Sequence, residues 1–309
     1  MEQALPNSST QDDHDRGYRS PSLVCVVVNW NGWQDTLKCL DSLRVQDYPN
    51  LSVIVVDNGS TNESVSKIRE AHPWVTLHET GENLGFPSGC NVGTRLAYAQ
   101  GARWIWLLNN DTVAPPDTAS RLVETALASP KAGAIGAILY HLDEPAKVQA
   151  WGGGRINLQT AFVSHFTAPA SFEPHNTFFT GASLMVPRSI CEEVGIFFEG
   201  FFMYGDDADL CLRIHRAGYA FVVAPNTAIL HKVGGSNSSR SPMIDQYATS
   251  SAIRLLQRNA DRPTLSIAVY LLLRLSKRLL TGRWRNARAV LRGVSDCFRE
   301  RERQFTDRL

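Results

Sequence analysis

The amino-acid sequence predicts an α/β fold with a largely parallel sheet in its first half and a mixed second half. Short, valine-rich apolar runs such as SLVCVVVNW (22–30) predict strands that are buried on both faces, as in a parallel sheet. These runs alternate with helical periodicity up to residue 130, which is the pattern of a doubly wound fold. After residue 130, short strands separated by glycine and proline replace that alternation.

The predicted elements of the first half follow one another at βαβ lengths. Leucines at helical spacing mark the first helix, and Asn62 is a candidate N-cap of the second. After strand 22–30 the elements are helix 34–46, strand 51–57, helix 62–71, strand 75–79, a helix in the second half of 86–100, strand 103–110 and helix 115–129.

The second half predicts short strands and one amphipathic helix. WGGGR (151–155) reads as a turn, and DDADLCLRIHRAG (206–218) as a helix that stops at Gly218. Strands are predicted within AGAIGAILY (132–140), VQAWGGGRINL (148–158), TAFVSHF (160–166), FFTGASLMVP (178–187), AFVVAP (220–225) and TAILHK (227–232).

Charge and cysteine content limit the classes of function. The net charge of +1 argues against a nucleic-acid partner, but residues 254–309 carry 14 basic and five acidic side chains, which predicts an anionic partner for this end. Six scattered cysteines without a C-x-x-C pair predict a reduced, cytoplasmic compartment. Residues 1–20 are polar and lack the apolar core of a signal peptide, so we expect a disordered tail.

Two predicted strands run directly into an acid and a turn. VVDNGST (55–61) places Asp57 after a buried strand, and LLNNDT (107–112) does the same with Asp111. Ligands of open α/β sheets bind beyond the carboxyl ends of the strands. There, Asp57 can accept hydrogen bonds from a base or ribose, and Asp111 can bind a divalent cation beside a diphosphate. The alternative is that each Asp caps a turn or a helix. Neither a dinucleotide-binding glycine motif nor a P-loop motif is present.

Seven segments with polar or glycine residues at element ends follow one another in an informative order. They are VVVNWNG (26–32), VVDNGST (55–61), NLGFPSGCNVG (83–93), LLNNDT (107–112), TGASLMVPR (180–188), FFMYGDDADLCLRIHRAGY (201–219) and HKVGGS (231–236). Over about residues 22–260 this order resembles the family 2 inverting glycosyltransferases, bacterial rhamnosyltransferases most of all. The resemblance implies the GT-A fold, with a Rossmann-like nucleotide-binding half and an acceptor-binding half in one continuous mixed sheet over residues 21–260.

The resemblance also implies roles for individual residues. Asp57 matches the position that reads the nucleobase, Asp111 the metal-binding Asp, and Asp207 the catalytic base. His231 matches a residue that approaches the metal or the diphosphate. Asn109 stands where the family has a first Asp, which implies a weaker site for Mg²⁺ or Mn²⁺. Positions carried over to the nucleotide and donor sugar are Asn29, Asp57, Asn83, Gly85, Asn91, Gly181 and Asp206.

The last part of the chain, residues 261–309, predicts a basic amphipathic helical extension. It begins with Asp261 as a candidate cap and Pro263 in the first turn. Leucines at helical spacing lie on one face, and Arg274 and Arg278 lie on another. Two interpretations follow, a helix at an anionic membrane surface or a helix packed on the catalytic domain.

These observations predict a metal-dependent inverting glycosyltransferase. Its donor would be a nucleotide-diphosphate sugar, with rhamnose as the first candidate, and its acceptor a bacterial glycan or a polyprenyl-linked saccharide. The predicted location is cytoplasmic, at the inner face of the plasma membrane. One alternative is a galactofuranosyl- or other hexosyltransferase of the same family. A second is a nucleotidyltransferase, but the glycine-rich, basic signature expected after the first strand is missing. A third is a non-catalytic GT-A module recruited by its basic tail.

Overall fold

The structure, a computed structural model, describes residues 22–232 and 241–306, with side chains described as far as residue 297. The predicted tail at 1–20 and the glycines of the HKVGGS segment lie outside the described residues. The described strands are β1 (Leu23–Asn29), β2 (Leu51–Asp57), β3 (Thr76–Glu79), β4 (Trp104–Asn109), β5 (Thr112–Val113), β6 (Ala132–Gly136), β7 (Ile138–His141), β8 (Val148–Trp151), β9 (Gly153–Asn157), β10 (Phe162–His165), β11 (Thr177–Phe179), β12 (Ser183–Pro187), β13 (Ala220–Val223) and β14 (Ile229–His231).

Nine helices lie in the described part of the chain. They are α1 (Trp33–Arg44), α2 (Ser64–Ala71), α3 (Phe86–Ala99), α4 (Thr118–Ala128), α5 (Arg188–Val194), α6 (Asp206–Arg216), α7 (Pro242–Asn259), α8 (Pro263–Leu280) and α9 (Trp284–Thr306).

The main sheet has seven strands in the order β13-β6-β12-β4-β1-β2-β3. Its centre is parallel, and every side chain of β1 is buried, as the valine-rich sequence predicts. The strand order reverses between β1 and β4, so the ligand crevice of an open sheet lies at their carboxyl ends. Asn29 pairs in register with Asp57, and Val28 pairs with Asn109. The polar strand ends therefore meet at the same edge.

The second half confirms the α/β class and divides more finely than the sequence predicts. β6, β12 and β13 extend the main sheet, whereas the other strands form a four-stranded sheet, β5-β14-β7-β8, and a three-stranded sheet, β10-β9-β11. The prediction of a turn at WGGGR is wrong in part. Only Gly152 turns the chain, with φ +76°, while Gly153 and Gly154 lie in β9. A Cβ on either would lie about 2 Å from the carbonyl oxygen of a neighbouring strand, which excludes larger residues there.

The helices agree with the sequence in position and differ at some ends. The N-cap of α2 is Glu63 rather than the predicted Asn62, although Oδ1 of Asn62 accepts the backbone N–H of Ser64 at 3.0 Å. Helix α3 is helical from Phe86 onward rather than only in its second half, since Gly85 supplies a positive φ before it and Pro87 fits a first turn. The sequence analysis did not anticipate α5 or α7.

The C-terminal helices pack on α7 through a buried carboxylate. Asp245 on α7 accepts hydrogen bonds from Arg274 at 2.9 Å and Arg278 at 2.6 Å, both on α8, and from Asn286 on α9 at 2.7 Å. The arginine face of α8 therefore faces the protein, which corrects the expectation that these two arginines face a membrane. The extension from residue 261 is packed on the domain, and the proposed boundary at residue 260 stays a prediction.

The leucine face of α8 points away from the protein. Ser266 and Tyr270 are buried, whereas Leu272 is 68% and Leu280 is 87% exposed. We use the name outer face for the exposed apolar residues of α8 and α9, namely Leu265, Leu272, Leu273, Leu279, Leu280, Trp284 and Leu291. None of the helices in the described ranges is long and apolar enough to cross a bilayer.

A second buried carboxylate joins α6 to α7. Asp209 accepts hydrogen bonds from Arg213 on its own helix at 3.0 Å and from Arg258 and Asn259 on α7 at 2.8 and 3.0 Å. Burial raises the pKa of Asp209, but these hydrogen bonds and charges outweigh it and hold the pKa below its ordinary value. Asp209 thus connects α6 to α7, and Asp245 connects α7 to α8 and α9.

We expect Asp245→Ala to destabilise the protein by about 3–5 kcal/mol, because the substitution leaves two half-buried arginines without their carboxylate. Urea unfolding followed by circular dichroism measures the change.

Glu144→Ala is the matched control for Asp245→Ala. Glu144 pairs with Lys147 at 3.3 Å, but both side chains are more than half exposed, so the loss should stay below about 1 kcal/mol. Equal effects of the two substitutions would contradict the role given to Asp245.

Candidate active site

Asn29 and Asp57 lie side by side at the carboxyl ends of β1 and β2. Both are buried, and Nδ2 of Asn29 donates to Oδ2 of Asp57 at 2.7 Å. Ser60 donates to the same carboxylate from its backbone N–H at 2.9 Å and from its hydroxyl at 2.7 Å. Oδ1 of Asn29 accepts the hydroxyl of Thr36 at 2.8 Å. These hydrogen bonds fix the orientation of the carboxylate that the sequence predicts to read the nucleobase.

The predicted segment that contains Asn83 and Gly85 is organised by Asn58, which the sequence analysis did not single out. Nδ2 of Asn58 donates to Oδ1 of Asn83 at 3.2 Å and to the carbonyl of Gly85 at 3.0 Å. Gly85 has φ +84°, and a Cβ there would lie 2.6 Å from the carbonyl oxygen of Phe202. Only glycine fits this close approach between the strand-end loop and the loop before α6.

Asn91 is occupied by backbone contacts. Its Nδ2 donates to the carbonyl of Phe197 at 2.8 Å, and its Oδ1 accepts the N–H of the same residue at 3.0 Å. The side chain is 2% exposed. These contacts indicate that Asn91 packs α3 against the loop after α5, and its contact with a nucleotide stays a prediction.

Asp111 and His231, 120 positions apart in the sequence, meet through strand pairing. The two-residue strand β5 follows Asp111 directly and pairs with β14, where His231 lies opposite Thr112. As a result Nε2 of His231 lies 3.2 Å from Oδ1 of Asp111. Nδ2 of Asn109 lies 3.5 Å from the same ring nitrogen. The pair and its neighbour thus converge beyond the end of β4.

Gln149 on β8 orients the ring of His231. Its Oε1 lies 2.9 Å from Nδ1 of His231, so it accepts the Nδ1–H, and in the neutral ring Nε2 then carries the lone pair. A lone pair and a carboxylate oxygen 3.2 Å apart repel each other unless a proton or a cation lies between them. Oδ1 of Asn109 is buried and has no hydrogen-bond partner among the described residues.

A divalent cation fits this arrangement. It would be bound by the carboxylate of Asp111 and by His231. Asn109 lines the same cavity, and its side-chain oxygen Oδ1 is a further candidate ligand. The described residues contain no group of three or more His, Cys, Asp or Glu that could hold a metal by itself. Mg²⁺ is commonly bound by one or two carboxylates together with substrate phosphates, so a diphosphate would complete the coordination.

Asp207 begins α6 and is held by backbone N–H groups. Oδ2 accepts the N–H of Gly181 at 3.1 Å, and Oδ1 accepts the N–H of Ala208 at 2.7 Å. Burial raises the pKa of Asp207 above its ordinary value, although these N–H groups and nearby His165 act in the opposite direction. Burial therefore outweighs the helix dipole, which favours the ionised carboxylate.

Asp206 differs from its neighbour in burial. It is 4% exposed, and burial together with repulsion from Asp207 raises its pKa well above the ordinary value. The like charge of Asp207 disfavours ionisation of Asp206, so Asp207 ionises more readily than its neighbour. Asp207 is therefore the better candidate for a base.

One cavity joins these groups. It has a volume of about 660 Å³ and is lined by Asp111, His231, Gly181, Asp206 and Asp207 among others. Of the ten predicted site residues, these five line it. Asn29 and Asp57 lie at the ends of β1 and β2, Asn83 and Gly85 lie before α3, and Asn91 lies within α3.

The cavity also contains residues that the sequence analysis missed. His165 on the β9–β10 hairpin lines it and interacts electrostatically with Asp207. Burial lowers the pKa of His165, and the charge of Asp207 opposes this. Tyr270 and Arg274 of α8 line it as well. No local pattern marks these residues, because they reach the site from distant elements.

Comparison with known proteins shows relatives among the glycosyltransferases. Residues 24–195 match the family model described as Glycosyl transferase family 2. The N-acetylglucosaminyl-diphospho-decaprenol L-rhamnosyltransferase of Mycobacterium tuberculosis is 29% identical over 234 residues, which cover 68% of this chain and 75% of that protein. The galactofuranosyltransferase GlfT1 of the same organism is 26% identical over 225 residues, covering 69% of this chain and 71% of the relative.

A solved structure shows the same fold. The mannosyltransferase PcManGT of Pyrobaculum calidifontis, solved in complex with GDP-Man and Mn²⁺, superposes with a TM-score of 0.57 at 21% identity and covers 91% of this chain and 88% of that one. The fold is therefore GT-A. Because the family model matches more than half of the chain, the chain belongs to glycosyl transferase family 2 and is a glycosyltransferase.

Proposed function

We propose that this glycosyltransferase moves rhamnose from a nucleotide-diphosphate donor to a bacterial glycan linked to a polyprenyl diphosphate, with inversion at the anomeric carbon. The observation that carries the proposal is the single cavity that Asp207 and the Asp111–His231 pair both line. The rhamnosyltransferase relative supports the sugar and the acceptor class. Galactofuranose is the alternative sugar, which the relationship to GlfT1 supports.

Asp207 is the proposed catalytic base. Its carboxylate takes the proton of the acceptor hydroxyl while the oxygen attacks the anomeric carbon, and the nucleoside diphosphate leaves on the opposite side. The N–H groups of Gly181 and Ala208 hold the carboxylate in place. A raised pKa suits a base, because a less acidic carboxylate holds the proton it accepts more strongly. Gly181 lies beside the base, where the donor sugar would bind.

Asp111 and His231 are the proposed ligands of Mg²⁺ or Mn²⁺. A bound divalent cation would neutralise the charge that develops on the departing diphosphate. Gln149 keeps the Nε2 of His231 available for this role. Asn29, Asp57, Asn83 and Gly85 would bind the nucleoside at the neighbouring strand ends, where Asp57 accepts hydrogen bonds from the base.

The outer face is the proposed contact with the inner surface of the plasma membrane. Its leucines and Trp284 are exposed, and exposed basic residues of the same two helices, Lys277, Arg285, Arg288 and Arg292, surround them. An apolar surface with basic neighbours fits an anionic lipid interface. This arrangement would place the cavity next to a lipid-linked acceptor on the cytoplasmic side.

We expect Asp207→Asn to lower kcat for transfer by about 10²-fold or more, since a positioned base contributes about 10²–10⁴-fold. Donor affinity, measured by calorimetry, should change little. In the wild type, kcat should fall as the pH drops through the raised pKa of Asp207, hence at a higher pH than for an ordinary carboxylate. Asp206→Asn, which leaves the proposed base in place, should cost much less. A kcat above about a tenth of wild type in Asp207→Asn would rule out its role as the base.

We expect Asp111→Ala to abolish the metal dependence of nucleoside diphosphate binding, because it removes one of the two proposed protein ligands. Titration of the nucleoside diphosphate at increasing Mn²⁺ concentration measures this. Asp41→Ala, at a position whose side chain is 73% exposed, is the control and should bind like the wild type. The same response to Mn²⁺ in Asp111→Ala and wild type would contradict the proposed site.

We expect the double substitution Leu272→Ser and Leu273→Ser to weaken binding to anionic liposomes by about tenfold or more, since burying a leucine side chain contributes about 1.5–3 kcal/mol. Co-sedimentation at low and high salt measures binding, and the basic neighbours predict weaker binding as salt rises. Leu127→Ser on α4, where the leucine is 51% exposed, is the control. Equal sedimentation of all three proteins would exclude the outer face as the lipid contact.

A further inference from the structure

The C-terminal helices form a wall of the cavity that the catalytic residues line. Helix α7 contributes Ala248, Ser251, Ala252 and Leu255, and helix α8 contributes Tyr270 and Arg274. Most of these side chains are small or apolar. Arg274 is an exception, because it places a permanent positive charge in this wall.

Arg274 is held at one end of its guanidinium group and has an unused donor. Its Nη2 donates to Oδ1 of Asp245 at 2.9 Å. Its Nε–H is buried and, among the described residues, has no hydrogen-bond partner. The side chain is 18% exposed and lies over the ring of Tyr270, 5.5 Å from its centre. A buried donor without an acceptor is unfavourable, so this group is suited to an acceptor that a ligand supplies.

The charged groups around Arg274 have a net positive charge, which favours the binding of an anion. Asp245 neutralises one positive charge but faces two, since Arg278 also donates to it at 2.6 Å. The third contact of Asp245 is the neutral side chain of Asn286. Among the described residues, the other lysine or arginine that lines the cavity is Lys232, which is paired with Asp35 at 2.9 Å. The cluster of Asp245, Arg274 and Arg278 therefore carries a net charge of +1, and its cavity side is Arg274.

We propose that Arg274 binds a phosphate group of the acceptor and so selects acceptors in which a diphosphate links the saccharide to its carrier. A guanidinium group that a carboxylate holds on one side, with an unpaired donor on the other, is a directional phosphate donor. Arg274 is then a specificity-determining residue for the acceptor. This inference rests on the proposed transfer to a lipid-linked saccharide and assigns the recognition of its anionic linkage.

The position of Arg274 on α8 fits such an acceptor. The same helix exposes Leu272 and Leu273 on the outer face. Arg274, the proposed phosphate contact, follows Leu273 directly in the sequence. A diphosphate joins a sugar to a polyprenyl chain in the acceptor for which the rhamnosyltransferase relative is named. One helix would thus contact the anionic and the apolar parts of the same substrate.

The test compares two acceptors in each protein variant. One is N-acetylglucosamine linked through a diphosphate to a farnesyl chain, and the other is the neutral farnesyl glycoside of the same sugar. We expect the ratio of their kcat/KM values to favour the diphosphate in the wild type and to fall about 10- to 100-fold in Arg274→Gln, mostly through KM. A partly unfolded preparation lowers both values equally, so it leaves the ratio unchanged. Arg274→Lys should retain part of the preference, because it keeps the charge.

Arg278→Gln is the matched control. It removes the other arginine from Asp245 but changes a residue that is not among those lining the cavity, so the ratio should stay at the wild-type value. An unchanged ratio in Arg274→Gln, or an equal fall in Arg278→Gln, would overturn the assignment.

Two further measurements show whether the phosphate must belong to a lipid-linked acceptor, and whether a negative result concerns Arg274 alone or the proposed function as a whole. A methyl diphosphate acceptor without the lipid chain shows whether a water-soluble sugar diphosphate suffices, and loss of its preference over the neutral methyl glycoside in Arg274→Gln would support the same contact. If the wild type transfers sugar but the ratio does not depend on Arg274, only this inference fails. If the wild type transfers no sugar from any nucleotide-diphosphate donor to any of these acceptors, the proposed function fails.

Discussion

Two buried carboxylates hold the C-terminal helices against α6, and the shape of the cavity depends on them. Asp209 connects α6 to α7, and Asp245 connects α7 to α8 and α9. A buried carboxylate without partners would cost several kcal/mol, so each accepts hydrogen bonds from more than one donor. Because α7 and α8 supply a wall of the cavity, these ion pairs determine which groups an acceptor would meet opposite Asp207, the proposed base.

Burial sets the chemistry of the pair at the start of α6. The helix N-terminus and the N–H groups of Gly181 and Ala208 favour a charged Asp207, whereas its surroundings disfavour charge, and the result is a raised pKa. Asp206 is more buried, and its pKa is raised well above its ordinary value. Two identical residue types at adjacent positions thus differ in acidity, because the N–H groups of Gly181 and Ala208 are directed at the carboxylate of Asp207.

Helix α8 has its polar face inward and its apolar face outward, which is the reverse of a surface helix on a soluble domain. The inward arginines are accommodated because Asp245 and Asn286 meet them inside. The outward leucines are between 43% and 87% exposed. In this orientation the inner face of α8 lines the cavity, where the proposed acceptor would place its phosphate. The outer face is available to the lipid chain of the same acceptor.

The sequence by itself determined the α/β class, the central strands, helix α6 and the polar residues at strand ends, since these depend on local apolar runs, periodicity and strand ends. The order of its motifs also identified the family. Only the tertiary structure decided that β5 pairs with β14 and so brings Asp111 to His231, that Asn91 is used in packing, and that Arg274 faces the cavity. Periodicity shows that α8 has two faces but does not show which one packs inward. That choice depends on Asp245, a carboxylate on another helix, and such non-local contacts form only when the chain is folded.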